Sequence, residues 1–263
     1  MRFGTQDKDF FPKDFTEKFK VIRDMGFEAF EVDGKTLVEN TDSLLEVSEK
    51  TGIKIVSACG GYRGWIGDFI EEKRVFAIED LKIIIKALGK TKGVGVVVPA
   101  AWGMFTFRLP PMVSPRTAQG DRKAILSSLA ELDVTAGENG VFVLLEPLNR
   151  YQDHMLNTVA DARSIIEEGS FKNVKITADF YHMNIEEDDV SKTIRNNNAF
   201  IRHIHVADNH KYQPGTGSID FKKHFAVLKE VGYEGYIVYE GRVRGDNPLA
   251  EYRKSIDFLR NCV

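Results

Sequence analysis

Cysteine is nearly absent from this chain. Its 263 residues include two, Cys59 and Cys262, too few for a disulfide framework or a thiolate zinc site. A reduced, cytoplasmic protein is the expectation that follows. An excess of one charge is lacking too: 36 basic residues face 39 acidic ones, for a net charge of −3. The charges are scattered, so there is no phosphate-backbone footprint and nucleic acid is not an expected partner. A basic membrane-surface helix is missing, and no apolar run approaches membrane-spanning length. The opening residues MRFGTQDKDFFPKDF lack a charged-then-apolar secretion signal. No tract rich in Pro, Gly or Ser divides the chain, so residues 1–263 are expected to form one domain. No G-x-G-x-x-G follows the first apolar run and no G-x-x-x-x-G-K-S/T occurs anywhere, which removes the usual signals of an open nucleotide-binding sheet.

What is present is a regular alternation. Short apolar runs predict strands at 2–6, 28–32, 53–58, 94–98, 141–146, 174–179, 201–206 and 235–240. Several are rich in Val and Ile throughout, as parallel strands covered on both faces must be. Amphipathic segments between them predict helices at 14–25, 42–51, 72–90, 121–138, 159–168, 187–197, 221–231 and 248–260. Segment 121–138 puts Ile125, Leu129, Leu132 and Ala136 on one stripe. Gly26, Gly52 and Gly232 suit helix C-termini, and Thr41 or Asp42, then Asn157 or Thr158, suit N-caps. Eight strand–helix units predict an α/β fold, a (β/α)8 TIM barrel.

Chemistry in such a barrel sits at the C-terminal ends of the strands. Read in order, those ends are Glu146, Asp179, His205 and Glu240, each closing an apolar run and each about one unit from the last. Four consecutive strands would therefore aim three carboxylates and one imidazole at one point. Like charges cannot share a dry pocket unpaired, and a divalent cation resolves the conflict. An oxygen-rich set with one imidazole suits Mn²⁺, Mg²⁺ or Co²⁺, one per subunit. Taken singly, each acid is as readily a helix cap or an ion-pair partner, and His205 a satisfied core histidine.

The surrounding words are more specific: E-P-L-N-R-Y from Glu146, A-D-F-Y-H from Ala178, H-x-A-D from His205, P-G-x-G from Pro214 and Y-E-G from Tyr239. With them the chain resembles, over its full length, the xylose isomerase-like barrels that hold ketose 3-epimerases and hydroxypyruvate isomerases. The longer words VVPAAWGMFTFRLPPM (97–112), GDRKA (120–124), EPLNRYQDHM (146–155) and DFYHMNIEED (179–188) look closer still to a branch acting on 3-keto sugars, the 3-dehydro-D-guloside 4-epimerases. The resemblance implies that Glu146, Asp179, His205 and Glu240 bind Mn²⁺ or a similar ion, that Glu146 and Glu240 double as proton-transfer groups, and that His182 contacts substrate oxygens. Two positions depart from the ketose 3-epimerase pattern. Gln152 stands where those enzymes carry a second Glu, and Lys211 where they carry Arg. Both positions are expected to hold the end of a free ketose chain, so the departures favour a different carbonyl substrate.

The implied activity is metal-dependent epimerisation beside a ketone through a cis-enediolate, at C4 of a 3-keto-glycoside such as 3-dehydro-D-guloside. A carboxylate base alone cannot remove so weakly acidic a hydrogen, and a Lewis acid closes part of the gap. The alternatives are a metal-dependent 3-keto-glycoside lyase, with His154 or Tyr151 as its general acid, and a ketose 3-epimerase or hydroxypyruvate-type isomerase. A repair nuclease of the same superfamily would need a three-zinc cluster and a basic face, and six histidines with a negative net charge argue against it. Two loops are expected to meet the sugar. The apolar segment 99–120 carries Trp102, Met104, Phe105, Phe107 and Leu109, with Arg108 or Arg116 nearby; it covers the pocket, packs on the rim or meets another subunit. The glycine-rich segment 59–69 offers Tyr62 and Trp65 for stacking. The expected partner is therefore a small sugar, with pairing to a second copy or a partner subunit left open.

Overall fold

The computed structural model describes residues 1–104 and 113–263. Eight parallel strands close on themselves in chain order: β1 (Arg2–Gln6), β2 (Ala29–Val32), β3 (Lys54–Cys59), β4 (Gly95–Pro99), β5 (Phe142–Glu146), β6 (Val174–Asp179), β7 (Ile201–Val206) and β8 (Tyr236–Tyr239). Pairing of Arg2 with Tyr236 through Thr5 with Tyr239 joins the last strand to the first, so no edge is left to recruit another chain. Helices α1 (Phe15–Asp24), α2 (Gly34–Thr51), α3 (Glu71–Thr91), α4 (Ala118–Asn139), α5 (Val159–Gly169), α6 (Phe180–Glu186), α7 (Val190–Asn197), α8 (Phe221–Glu230) and α9 (Pro248–Asn261) follow the strands.

The burial explains the composition of the runs. All four residues of β2 are buried, as are Val143 through Glu146 of β5. Ile125, Leu129, Leu132 and Ala136 of α4 are buried together, the stripe that the helical period requires. Thr158 caps α5: its hydroxyl accepts from Asp161 N, and the Asp161 side chain accepts from Thr158 N, a capping box worth about 1 kcal/mol. Asn157 has another task, donating its amide to Leu148 O and Asp153 O. Gly52 takes φ +81° at the end of α2 and closes that helix in the left-handed region where Cβ is unwelcome.

Two expectations need correction. Helix α2 begins at Gly34, not near 42: Asp33 is its N-cap and accepts from Thr36 N. The polar run KTLVENTD hides the helix, and a kink with non-helical dihedrals at Asn40 breaks its period. Thr41 caps nothing and donates back to Leu37 O. The segment expected as one helix at 187–197 is a shorter α7 preceded by a separate short helix, α6, which begins directly at the end of β6. Among the described residues, no helix is long and apolar enough to cross a membrane.

Candidate metal and sugar site

Strands β5 to β8 are neighbours in the barrel, and their ends bring together the four residues that the sequence singles out. One donor atom from each of Glu146, Asp179, His205 and Glu240 lies within 4.8 Å of the others. Asp179 and His205 sit at the same register on adjoining strands. What meets the buried Glu146 is His205, with Nδ1 at 2.9 Å from Oε1 and at 3.6 Å from Glu240 Oε2. Lys211 bridges the other two acids, donating from Nζ to Asp179 Oδ2 at 2.8 Å and to Glu240 Oε2 at 2.5 Å.

Burial sets the charges. Loss of solvent pushes the Glu146 carboxyl up to about 7, against the opposing pull of His205. Burial also works against charge on Asp179, but Lys211 and His205 outweigh it and hold that carboxyl below its usual range. For His205 burial disfavours the cation, yet Glu31, Glu146 and Glu240 around it raise its pKa well above the ordinary imidazole value. Lys211 is raised in the same way by Asp179 and Glu240 against the effect of burial. Three hard oxygen donors and one imidazole, crowded together with Glu146, Asp179 and His205 buried, fit a divalent cation, which would carry the positive charge that Lys211 and the His205 proton supply here.

Asp179 has two functions at once. Its Oδ1 caps α6, accepting from Tyr181 N at 2.7 Å and His182 N at 3.3 Å, while Oδ2 joins the cluster. The cap and ligand readings of a strand-end acid are therefore compatible. Helix α6 carries His182 into the same pocket. Asn149 donates to His182 Nδ1 from both its backbone N and its side-chain amide, each at 2.9 Å; its Oδ1 accepts from Tyr151 N, which fixes the amide orientation. Nδ1 is thus an acceptor and Nε2 carries the proton. Burial first, then the nearby Lys211 charge, holds the His182 pKa well below its usual value, so the ring is a neutral N–H donor.

The H-x-A-D and P-G-x-G words acquire a physical cause. The buried Asp208 carboxylate accepts backbone N–H groups from Asn209, Gly215, Thr216, Gly217 and Ile219. A Cβ at Gly217 would lie 2.3 Å from Asp208 Oδ1, so only glycine lets the loop wrap this closely. The wrapped loop holds Lys211 at φ +61°, with its N–H donating to Asp208 O at 2.8 Å. A non-glycine residue in the left-handed region stores strain of order 1 kcal/mol, and here it aims the ammonium at the acids.

A cavity of about 380 Å³ opens above the cluster, lined by Glu146, Glu240, His182, Lys211 and Gln152, and on another side by Tyr62, Trp65 and Trp102. Trp65 meets Trp102 with ring centroids 6.3 Å apart and Tyr62 at 5.7 Å. Gly103 N donates to Gln152 O, tying the two loops together. Trp102 stays 55% exposed at the mouth. Arg108, with Phe105, Phe107 and Leu109, lies outside the described residues. Arg116 does not face the sugar pocket: its guanidinium is taken by Asp121, Asp68 O and Gly67 O. His154 sits beside Asp121 and the Phe69 ring, and neither it nor the exposed Tyr151 lines the cavity. A larger groove of about 580 Å³ lies at the opposite strand ends, around Arg2, Arg202 and Tyr236; the acid cluster is not there, so the smaller cavity is the chemical one.

Two residues at the site escaped the sequence reading. Glu31 of β2 and His203 of β7 are buried below the cluster, Nε2 of His203 lying 2.9 Å from Glu31 Oε2. The signal was the alternation in R-H-I-H-V, which turns His203 and His205 to the same face.

A model of the xylose isomerase-like TIM barrel matches residues 19–262. The chain belongs to that family. It is 52% identical, over 262 residues and the whole of both chains, to 3-dehydro-D-guloside 4-epimerase of Escherichia coli strain K12. It is 35% identical over 159 residues to a ketose 3-epimerase of Arthrobacter globiformis, covering 60% of this chain and 51% of that one. Among solved structures, the apo form of 3-keto-D-glucoside 4-epimerase from E. coli superposes with a TM-score of 0.98 over all of both chains, at 52% identity.

Proposed function

We propose that this barrel is a divalent-metal-dependent epimerase that inverts C4 of 3-keto-glycosides, interconverting 3-dehydro-D-gulosides and 3-dehydro-D-glucosides. The observation that carries the reading is the full-length likeness to the E. coli 4-epimerase together with four convergent donors at the strand ends. Glu146, Asp179, His205 and Glu240 hold the ion, with Mn²⁺ the leading candidate. When bound, the ion supplies Lewis-acid stabilisation for the negative charge that develops on the ketone oxygen.

The protein groups do the rest. Glu146 and Glu240 come from the ends of the outer two of the four strands, and a sugar seated between them would meet one on each side. One carboxylate takes the C4 proton and the other, protonated, returns a proton to the opposite face. The neutral N–H of His182 and the ammonium of Lys211 donate to the oxygens beside the reacting carbon. Tyr62, Trp65 and Trp102 offer a flat apolar wall for a pyranose ring or its aglycone. Gln152, neutral where a ketose 3-epimerase has a second acid, leaves the chain-end recognition of an open ketose weaker.

The test is a 3-keto-glucoside incubated with the Mn²⁺-loaded enzyme in D₂O and followed by NMR. Deuterium at C4 and growth of the 4-epimer with the aglycone retained support the proposal. Release of the aglycone, or exchange confined to a free ketose, defeats it.

A further inference from the structure

We infer that Glu31 is a positioning residue for the metal centre: its carboxylate holds hydrogen on His205 Nε2, so that when a cation displaces the Nδ1 proton the bare Nδ1 lone pair is the one turned toward Glu146 and Glu240. The inference rests on the metal-site reading above. Strand β2, which carries Glu31, is not a neighbour of β7, so the contact crosses the barrel interior. Nε2 of His205 lies 3.0 Å from Glu31 Oε1, and His203 Nε2 lies 2.9 Å from Oε2. Gln6 donates its amide to Oε1 at 2.8 Å and Ser57 its hydroxyl to Oε2 at 2.6 Å. Gln6, Glu31 and Ser57 are aligned in register across β1, β2 and β3.

An ionised carboxylate only accepts hydrogen bonds. With two donors from the neighbouring strands already on it, the two imidazole nitrogens that complete its shell must also donate. Both rings therefore carry hydrogen on Nε2. His203 Nδ1 agrees: it is buried and has no hydrogen-bond partner among the described residues, which a lone pair tolerates better than an orphaned N–H. For His205 the consequence is chemical. The nitrogen turned toward Glu146 and Glu240 is the one free to bind a cation. The Glu31 charge behind the ring makes that nitrogen a better ligand, and outer-shell carboxylates of this kind are worth roughly 10–100-fold in metal affinity.

A Glu31→Gln variant tests this through metal binding and not turnover alone. Free Mn²⁺ is titrated by its EPR signal against chelator-treated wild type and variant. The expected result is a Kd raised roughly 10–100-fold in the variant, with kcat recovered to near wild type at saturating Mn²⁺. A variant that melts lower but binds Mn²⁺ within about twofold of wild type makes Glu31 a structural polar plug and overturns the inference. Where the variant fails to fold, the wild type decides. In the Mg²⁺-loaded, ¹⁵N-histidine-labelled enzyme, the His205 ring, assigned by its loss in His205→Gln, should show a protonated Nε2 and a bare Nδ1; hydrogen on Nδ1 instead overturns it. Wild type that binds neither Mn²⁺ nor Mg²⁺ defeats the site reading itself, a failure separate from that of Glu31.

Discussion

Replacing Lys211 by Met should make the protein less stable without metal and a tighter metal binder. The ammonium lies within hydrogen-bond distance of both Asp179 and Glu240. Removing one partner from a fully buried ion pair costs about 3–5 kcal/mol. Lys211 and Glu240 are 24% and 21% exposed, so solvent screens part of the loss and about 2 kcal/mol is the fair expectation. For a chain of this size the unfolding entropy is roughly 0.5 kcal/mol/K, which converts the loss into a melting point about 4 °C lower in chelator. A dication held by Asp179 and Glu240 would make the ammonium's charge redundant there, so the loss should largely vanish in the loaded protein. The thermodynamic cycle then requires the variant to bind metal more tightly by the same amount, and about 2 kcal/mol is roughly a 30-fold smaller Kd. Melting curves in chelator and in excess Mn²⁺, with calorimetric titration of both proteins, read all four corners. The reasoning is refuted by a chelated variant that melts with wild type, or by one that binds Mn²⁺ more weakly. Turnover of a 3-keto-glycoside should fall in the same variant, because the donor that the proposed function assigns to the substrate is gone.

Glu240→Gln should reduce C4 exchange in D₂O at least 10²-fold while Mn²⁺ affinity changes less, since three donors remain and the amide oxygen still reaches the ion; normal epimerisation by this variant removes Glu240 from the proton relay. Asp153 gives a stability prediction away from the metal. It is buried, its Oδ2 has no hydrogen-bond partner among the described residues, and burial pushes its carboxyl up to about 7. The folded protein thus keeps a proton that the unfolded chain releases above about pH 4, so Asp153 lowers stability progressively between pH 4 and 7 and costs most above that. Asp153→Asn should raise the melting point at pH 8 by about 2–4 °C and by only about a third as much at pH 5, where the penalty has just begun to build; an equal shift at both pH values contradicts the assignment.

The barrel was legible because its strands are buried on both faces and its turns keep the helices separate. Hydrophobic runs mark such strands directly, and their ends agree with the observed ones to within a residue. The four donors were legible for the related reason that a charge closing an apolar run is costly without a partner. Glu31 was not. In E-A-F-E-V two acids flank a short run, and nothing local says that Glu28 is exposed while Glu31 is buried. Its partners, Gln6, Ser57, His203 and His205, lie on three other strands, so the pattern exists only after closure. Helix α6 was hidden in the same way: its N-cap is the strand-end acid already assigned to the cluster. Arg116 misled because an arginine in an aromatic loop looks available, whereas Asp121 and two carbonyls already hold it.

The departures at Gln152 and Lys211 make sense together. A guanidinium at position 211 would present a rigid planar fork suited to one carboxylate face, whereas Lys211 places a single compact charge between Asp179 and Glu240. That position suits a cation tethered to the acid cluster. With Gln152 neutral, the cavity combines a charged floor with an aromatic flank of Tyr62, Trp65 and Trp102. An open-chain ketose offers hydroxyls along its length and would leave that flank poorly used. A glycoside in its ring form has an apolar face to lay against it and a ketone to direct at the acids. The wall therefore suits the closed sugar of the proposed reaction, through apolar contact with a ring face, while the charged floor would meet its polar end.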